Sequence, residues 1–238
     1  MSSYIIPDIH GCLITLRKLI EDVIGVGKDD KLYFLGDYID RGPYSAQLVD
    51  YLLDLMNKGY NLNCLRGNHE QMLLDAFSNM SNFNIWMYNT GNVTIKSYKD
   101  LLGYSFLFPV DLPINHFHFY SGLSHYIEIG SRYILVHAGF NFRSEKPMQD
   151  YEAMLWSRSY NIPKDFLPGK IIIHGHTPKP INTIKAIIND PESHIIPLDA
   201  GCVFGEISEG LGYLVALELE KNKLFSVKKL ENSELKIN

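Results

Sequence analysis

The chain has 238 residues, of which 46% are hydrophobic and 21% are charged. This composition is typical of a packed globular protein, and it excludes disordered, fibrous and collagen-like chains. Lys and Arg number 22 against 27 Asp and Glu, so the formal net charge is −5 at pH 7. Such a chain lacks the basic footprint of general nucleic-acid or anionic-membrane binders. We therefore expect neither a nucleic acid nor a membrane as partner.

The cysteine pattern and the apolar runs bear on the compartment. The three cysteines, Cys12, Cys64 and Cys202, are too few and too widely spaced for a disulfide framework or a zinc ribbon. The longest apolar runs are too short to span a bilayer, and no basic region precedes an apolar stretch at the start. These features predict a cytoplasmic protein with reduced thiols.

The first third of the chain alternates short β-rich runs with amphipathic stretches. The predicted elements, in chain order, are strand Tyr4–Ile6, helix Leu13–Ile24, strand Lys31–Leu35, helix Ala46–Asn57, strand Asn61–Leu65 and helix Gln71–Asn79. Strands and helices that alternate at this spacing indicate βαβ units around a parallel sheet.

The remainder of the chain has a different character. Residues 81–126 are rich in aromatic side chains without a clear period, and we predict a mostly helical insertion there. Further strands are predicted at Tyr133–His137, Lys170–His174, Ile195–Leu198, Gly212–Leu219 and Leu224–Lys228. The late strands resemble a meander, which suggests a second sheet stacked on the first. Because no repeat or linker divides the chain, we expect one domain over residues 1–238.

Polar residues that suit metal binding follow several of the predicted strands. The candidate ligands are Asp8, His10, Asp37, Asn68, His137 and His176. The carboxyl ends of parallel strands meet at one crevice, so these side chains are expected to converge. Oxygen and nitrogen donors without thiolate suit Mn, Fe or Zn. Six donors are more than one catalytic metal takes, so the count favours two ions with Asp37 as a bridge.

Arginines accompany these candidate ligands. Arg41, Arg66 and Arg158 are predicted near the crevice, and a guanidinium is suited to bidentate recognition of phosphate. A two-metal site acidifies a water molecule and clamps phosphoryl oxygens, which favours in-line displacement at phosphorus. Metals and arginines together therefore predict phosphoryl hydrolysis.

Five motifs in this order resemble those of a known family. They are Asp8-Ile9-His10-Gly11, Gly36-Asp37-Tyr38-Ile39-Asp40-Arg41-Gly42, Gly67-Asn68-His69-Glu70, His137-Ala138-Gly139 and Gly175-His176-Thr177-Pro178. The set resembles the phosphoprotein phosphatases within the calcineurin-like metallophosphoesterases, and its short bacterial and phage members most of all. The resemblance runs from Asp8 to about Gly201. Pro7 and Ala138 depart from the usual pattern, but neither change removes a donor.

The resemblance implies a fold and a role for each motif residue. The fold is a four-layer α/β/β/α sandwich. The implied roles are one metal held by Asp8, His10 and Asp37, a second held by Asp37, Asn68, His137 and His176, His69 as general acid oriented by Asp40, and phosphate binding by Arg41, Arg158 and Arg66. The implied cofactors are two divalent transition-metal ions, with Mn²⁺ favoured over Fe or Zn. Glu70 is interpreted only as favourable to the dipole of the following helix.

Three functions remain open at this point. The leading one is a phosphomonoesterase acting on phosphorylated Ser or Thr in proteins or peptides, or on small phosphate esters, with the preference between Ser/Thr and Tyr left open. The second is a symmetrical dinucleoside tetraphosphate hydrolase, a class that tends to carry Asp in place of Glu70 and usually lacks the complete Asp40–Gly42 ending. The third is a catalytically inactive binding protein, which requires missing ligands, and none is missing. The sequence does not predict an oligomeric state.

Overall fold

A computed structural model describes residues 1–158, 163 and 166–231. The strands are β1 (Ser3–Ile6), β2 (Lys31–Phe34), β3 (Asn61–Cys64), β4 (Tyr126–Ile129), β5 (Tyr133–Val136), β6 (Ile171–His174), β7 (Ile195–Pro197), β8 (Tyr213–Glu218) and β9 (Lys223–Lys228). The α-helices are α1 (Leu13–Arg17), α2 (Ser45–Asn57), α3 (Asn68–Asp75), α4 (Met80–Trp86), α5 (Asn92–Leu102), α6 (Ile114–Ser121), α7 (Tyr151–Trp156) and α8 (Ile181–Asn189). Two π-helical segments (Lys18–Ile24 and Met87–Gly91) and two 3₁₀ segments (Pro147–Gln149 and Cys202–Ile207) complete the described helical structure.

The strands form two sheets. The first has the order β3-β2-β1-β8-β9, with β1, β2 and β3 parallel and the β8–β9 hairpin antiparallel to β1. The second has the order β4-β5-β6-β7, with β4 antiparallel and the other three strands parallel. Ile6 pairs with Phe34 and Phe34 pairs with Cys64, so β1, β2 and β3 end level with one another. The loops that follow them therefore leave the sheet at the same edge.

Apolar side chains on both faces of each sheet are buried. The core between the sheets includes Ile5 and Leu35 from the first sheet and Leu135 and Ile173 from the second. The outer face of the first sheet packs on helices α1 to α3, and the outer face of the second packs on α7 through Met154. These layers form the predicted α/β/β/α sandwich, which is confirmed. Because each sheet is packed on both faces, the loops that follow the strands extend from a rigid support.

The late strands do not form a meander in a second sheet, and that prediction is wrong. β7 lies parallel to β6 in the second sheet, whereas β8 and β9 join the first. Leu214 and Ala216 of β8 are buried in the outer core, and Val215 and Leu217 are buried between the sheets. A strand that is apolar on both faces fits the middle of a sheet, and β8 lies between β1 and β9.

Among the differences from the predicted elements, one helix start and one missed strand matter most. Helix α3 begins at Asn68 rather than at Gln71, so Asn68 and His69 lie in its first turn. Strand β4 was not predicted, because its four residues give too short an alternation to distinguish from the preceding aromatic region. The helical start matters for function, because backbone N–H groups at a helix start are oriented toward the crevice.

Helices α4, α5 and α6 account for most of residues 81–126. Helix α5 packs on α2, and α4 packs on α3. The treatment of this region as an insertion into a single domain stays a prediction. Among the residues that the structure describes, no helix is long and apolar enough to cross a membrane.

Candidate metal centre

The loops that carry the candidate residues have an unusual backbone. Positive φ angles occur at His10 (46°), Asp37 (53°), Asp40 (67°), Arg41 (65°) and His176 (65°). Residues other than glycine rarely adopt this region, and they do so only where the surrounding structure enforces it. Five such residues in one crevice indicate that the packing of the fold holds these loops in an unfavourable backbone conformation, which places their side chains.

Asp37 lies at the centre of the crevice. Its Oδ2 is 3.4 Å from Nε2 of His10, and its Oδ1 is 3.6 Å from Nε2 of His137. Two groups of potential ligand atoms therefore share this carboxylate. One group is His10, Asp37 and His69, the other is Asp37, His137 and His176, and within each group the ligand atoms lie within 4.8 Å of one another.

The orientation of two histidines is fixed by backbone carbonyls. Nδ1 of His10 lies 2.8 Å from the carbonyl oxygen of Ile39, and Nδ1 of His137 lies 2.9 Å from that of Leu35. A carbonyl accepts only, so Nδ1 carries the proton in both rings. In the neutral rings, the Nε2 lone pairs then face the crevice, which is the orientation of metal-binding histidines.

The atoms around Asp37 fit a bound cation. Nε2 of His137 lies 3.0 Å from Oδ1 of Asn68 and 3.6 Å from Oδ1 of Asp37. All three atoms are acceptors when His137 is neutral, so only a cation or a proton satisfies them together. Nε2 of His176 is also buried without a hydrogen-bond partner. Nitrogen and oxygen donors in this mixture suit a divalent transition metal.

The guanidinium of Arg41 contacts the Nε2 atoms of two other histidines in the crevice. Its two terminal nitrogens lie 2.9 Å from Nε2 of His10 and 3.0 Å from Nε2 of His69. The guanidinium also lies 5.3 Å from the ring centroid of Phe204, within the range of a cation–π contact. Arg41 thus places positive charge at the mouth of the crevice, where an anionic group would enter.

Asp8 is held at the other side of the cluster. Both of its carboxylate oxygens accept from the backbone N–H of His176, at 3.0 and 3.1 Å. Burial raises the pKa of Asp8 well above its ordinary value, and the nearby carboxylates Asp199 and Asp37 raise it further. Asp199 was not predicted as a site residue, and burial raises its pKa to about 7. Buried carboxylates so close together are stabilised in their charged form by a cation.

Gly175 leaves space for the carboxylate of Asp8. A Cβ at this position would lie 2.1 Å from Oδ1 of Asp8, and one at Gly67 would lie 2.1 Å from Oδ1 of Asp37. Glycine is thus required at both positions by the close approach of a candidate ligand rather than by a turn.

We expect Gly175→Ala to lower metal affinity by about 10- to 100-fold, the range seen when a group that orients a ligand is lost. The added methyl group displaces the Asp8 carboxylate while the buried strands remain unchanged. Metal content after dialysis against graded chelator measures the effect. Gly27→Ala would serve as the control, because Gly27 has no positive φ and a Cβ there would make only an ordinary contact, 3.6 Å from Oδ2 of Asp30. Unchanged metal retention in Gly175→Ala would contradict the placement of Asp8 in the site.

His69 and Asp40 form a separate buried pair beside this cluster. Nδ1 of His69 lies 2.6 Å from Oδ2 of Asp40, and neither side chain is more than 1% exposed. Nε2 of His69 faces Arg41 and the crevice. The rings of His69 and His10 meet edge to face, with centroids 4.8 Å apart.

The pKa shifts separate His69 from the other histidines. Burial lowers the pKa of His10 and of His137, and it lowers that of His176 to about 3, so these rings are neutral and able to coordinate a metal. Burial also acts to lower the pKa of His69, but Asp37 and Asp40 outweigh it, and the pKa is raised. Burial acts to raise the pKa of Asp37, but His137, His69 and His10 outweigh it, and the pKa is lowered. The cluster therefore combines neutral ligand rings with one ring that favours its proton.

The other predicted arginines differ in position. Arg66 donates to Oε1 of Gln71 at 2.9 Å and to the carbonyl of Ser121 at 2.9 Å, so its described hydrogen bonds join α3 to the end of α6. Arg158 is exposed, and its charge acts on His176 from the solvent side. Phosphate binding by either residue stays a prediction.

Glu70 has a larger structural role than the sequence indicated. It is buried, and its carboxylate accepts from the backbone N–H groups of Asp37 (2.9 Å), Tyr38 (2.9 Å), Ile39 (3.3 Å) and Gly67 (3.0 Å). Glu70 thereby fixes the loop that carries Asp37. A glutamate at the third position of a helix is a known capping signal, and it was the available sign of this role.

Comparison with known proteins now identifies the family. A model of the calcineurin-like phosphoesterases matches residues 1–206. The chain belongs to this family. Enzymes of this family depend on two metal ions, and Asp37 with the histidines on either side of it could bind metal here.

Curated relatives with two different activities match part of the chain. A symmetrical bis(5'-nucleosyl)-tetraphosphatase from Pseudomonas putida is 38% identical over 80 residues, which is 34% of this chain and 27% of the relative. Serine/threonine-protein phosphatase 1 from Salmonella typhimurium is 37% identical over 89 residues, which is 37% of this chain and 38% of that protein. The matched segments span well under two thirds of the relatives, so they do not decide between the two activities.

Solved structures match over nearly the whole chain. A protein for which diadenosine tetraphosphatase activity has been proposed superposes with a TM-score of 0.66 at 20% identity, covering 97% of this chain and 95% of the other. A protein serine/threonine phosphatase from Saccharomyces cerevisiae, with similarity to human phosphatase PP5, gives 0.62 at 17% identity, covering 99% and 82%. At these identities the likeness shows the fold. The predicted family resemblance is confirmed, and the chain is a phosphoesterase of this family.

Proposed function

We propose that the protein is a metal-dependent phosphomonoesterase that hydrolyses phosphoserine and phosphothreonine in proteins or peptides. The observation that carries this proposal is the shared Asp37 carboxylate, with imidazoles on both sides and the buried His69–Asp40 pair next to it. Such a site has a place for two cations and a proton donor within one crevice. The proposal rests on this arrangement together with the family membership.

The proposed ligands are those that the family resemblance implies, and the groups His10–Asp37 and Asp37–His137–His176 in the structure support them. Asp8, His10 and Asp37 would hold one divalent ion, and Asp37, Asn68, His137 and His176 would hold the second. The donor set combines carboxylate, amide oxygen and imidazole without thiolate, which suits Mn²⁺, Fe or Zn, and Mn²⁺ is the metal that we propose. When bound, the two ions supply Lewis acidity, which lowers the pKa of a water molecule and neutralises phosphoryl charge.

The protein's own residues perform the remaining steps. Arg41, with Arg158 at the rim, would bind the non-bridging phosphoryl oxygens and orient phosphorus for in-line attack. In the structure, Nε2 of His69 accepts from Arg41. With Arg41 bound to the phosphoryl oxygens instead, Nε2 would hold a proton and transfer it to the departing alkoxide, and Asp40, which accepts from Nδ1, would stabilise the imidazolium. Glu70 keeps the Asp37 loop fixed, so the developing charge meets groups that are already oriented.

A cavity beside the centre favours a peptide over a polyphosphate. It has a volume of about 400 Å³ and is lined by Phe140, Asn141, Phe142, Asp150, Glu152, Ala153, Trp156 and Ser157. The ring of Trp156 lies edge to face with His176 at 6.4 Å, so this cavity adjoins the metal centre. Its aromatic rings suit an uncharged or basic side chain, while the carboxylates of Asp150 and Glu152 repel additional phosphates.

We expect kcat/KM for phosphoserine or phosphothreonine peptides to exceed that for diadenosine tetraphosphate. Both substrates are to be compared with Mn²⁺ at one ionic strength. Glu152→Gln is expected to narrow the difference by improving dinucleotide hydrolysis, while Glu145→Gln, an equal charge change at a residue outside the cavity lining, leaves it unchanged. A preference of about tenfold or more for the dinucleotide, about 1.4 kcal/mol, would overturn the substrate assignment.

Symmetrical dinucleoside tetraphosphate hydrolysis is the second candidate. Several of the curated relatives have that activity, and the half-exposed ring of Trp156 offers a face on which an adenine could stack. The same comparison of substrates separates the two candidates. A protein that binds metal but hydrolyses no chromogenic phosphate ester would instead be the inactive binding protein.

A further inference from the structure

The carboxylate of Asp40 is fully buried, and three side chains contact it. Nδ1 of His69 lies 2.6 Å from Oδ2, Nε1 of Trp86 donates to Oδ2 at 3.0 Å and to Oδ1 at 3.2 Å, and Oγ1 of Thr94 donates to Oδ1 at 2.6 Å. Trp86 and Thr94 are also fully buried. Both belong to the segment Met80–Leu102, formed by α4, the π-helical turn and α5, rather than to the motif loops.

The same segment holds the backbone beside Asp40. The N–H of Asp40 donates to Oγ1 of Thr94 at 2.9 Å, and the N–H of Arg41 donates to Oγ1 of Thr90 at 3.0 Å. Thr90 has a φ of 73° at the kink between α4 and α5. A β-branched residue is strained in this region, and the surrounding structure must therefore enforce it. The kink directs the Thr90 hydroxyl at the backbone of the loop that carries Asp40 and Arg41.

Helix α5 is fixed to the helix that follows this loop. Oγ of Ser97 accepts from the N–H of Ala46 at 2.9 Å and donates to Oε1 of Gln47 at 2.6 Å. The capping residue of α2, Tyr44, makes no capping hydrogen bond with its side chain. Ser97 of α5 thus accepts a hydrogen bond from a backbone N–H group in the first turn of α2. The two helices hold the loop of Asp40 and Arg41 between them.

We propose that Trp86 and Thr94 are positioning residues for the Asp40–His69 pair. Together they bind both oxygens of the Asp40 carboxylate, so the carboxylate cannot rotate and its Oδ2 remains directed at Nδ1 of His69. His69 then keeps Nε2 directed into the crevice. This inference rests on the proposed function, because it assigns the two residues to the group that would protonate the leaving oxygen. On this proposal, the segment Met80–Leu102 supports the catalytic pair and does not only line the crevice.

A matched pair of variants at Thr94 tests the inference. Thr94→Val keeps the shape of the side chain and removes the hydroxyl, whereas Thr94→Ser keeps the hydroxyl. We expect Thr94→Val to lower kcat on phenyl phosphate, a poor leaving group, by about tenfold, a fraction of the roughly 10²–10⁴ of general acid catalysis. On p-nitrophenyl phosphate, which needs no protonation, kcat is expected to change by less than about twofold. Thr94→Ser retains the wild-type ratio, and Trp86→Phe behaves like Thr94→Val.

A second measurement does not depend on activity. The hydrogen-bonded Nδ1 proton of His69, identified by its loss in His69→Asn, is observed by proton NMR in protein without paramagnetic metal. It is expected to shift or exchange faster in Thr94→Val and not in Thr94→Ser. If Thr94→Val loses activity equally on both phosphates and the His69 resonance is unchanged, Thr94 has only a packing role and the inference is overturned. Wild-type protein inactive on both phosphates would instead count against the proposed function, and the resonance alone would decide the positioning role.

Discussion

Asp37→Asn is expected to have the largest effect of any single substitution, because Asp37 is the residue that both groups of potential ligands share. We expect loss of two-metal occupancy and a fall in kcat/KM of more than about 100-fold, beyond the range that follows from changing a group that only orients a ligand. The amide keeps the volume and the acceptor oxygen of the carboxylate, but it removes the charge and the second strong donor. Glu70 still accepts from the backbone of the loop, so the fold is expected to remain.

Metal content and activity are measured on the same samples of Asp37→Asn. Asp22→Asn is the matched control, because the same chemical change falls on an exposed residue paired with Lys18. Wild-type occupancy of two metals with a wild-type rate in Asp37→Asn would refute the shared role of this carboxylate.

His69→Asn is expected to slow hydrolysis of phosphoserine peptides by roughly 10²–10⁴-fold, the range for general acid catalysis. The basic alkoxide of serine needs a proton as it departs, and the Asp40 carboxylate, 2.6 Å from Nδ1 of His69, stabilises the protonated form of that ring. Hydrolysis of p-nitrophenyl phosphate, which releases a stable anion, is expected to fall much less.

The measurement for His69→Asn is the ratio of the two rates rather than either rate alone. His118→Asn, an exposed histidine of α6, is the control and leaves the ratio unchanged. If both substrates lose activity equally, His69 acts as a ligand or as part of the scaffold and not as the acid.

The sequence by itself indicated which residues converge. Asp8 and His10 follow β1, Asp37 follows β2 and Asn68 follows β3, and parallel strands that end level with one another bring such residues together. This inference needed only the strand–helix alternation and the position of polar residues relative to each strand. The five ordered motifs then predicted the family, which the match over residues 1–206 confirms.

The position of the late strands was not available from local pattern. A run such as Leu214 to Leu217 reports that both of its faces are buried, but it does not report which sheet buries them. β8 joins the first sheet because it pairs with β1, more than 200 residues earlier in the chain. Strand partners so far apart leave no periodic signal in the sequence.

The supports of the site were likewise decided by tertiary structure. Trp86 and Thr94 lie 46 and 54 residues after Asp40, in an aromatic region where the sequence shows no period. A tryptophan or a threonine is an ordinary core or surface residue until a buried acceptor is placed against it. The carboxylate of Glu70 joins the N–H groups of Asp37 and Tyr38 across more than 30 residues in the same way. Short-range patterns specify which side chains carry chemistry, whereas the packing of α4 and α5 against the Asp40 loop determines how those side chains are oriented.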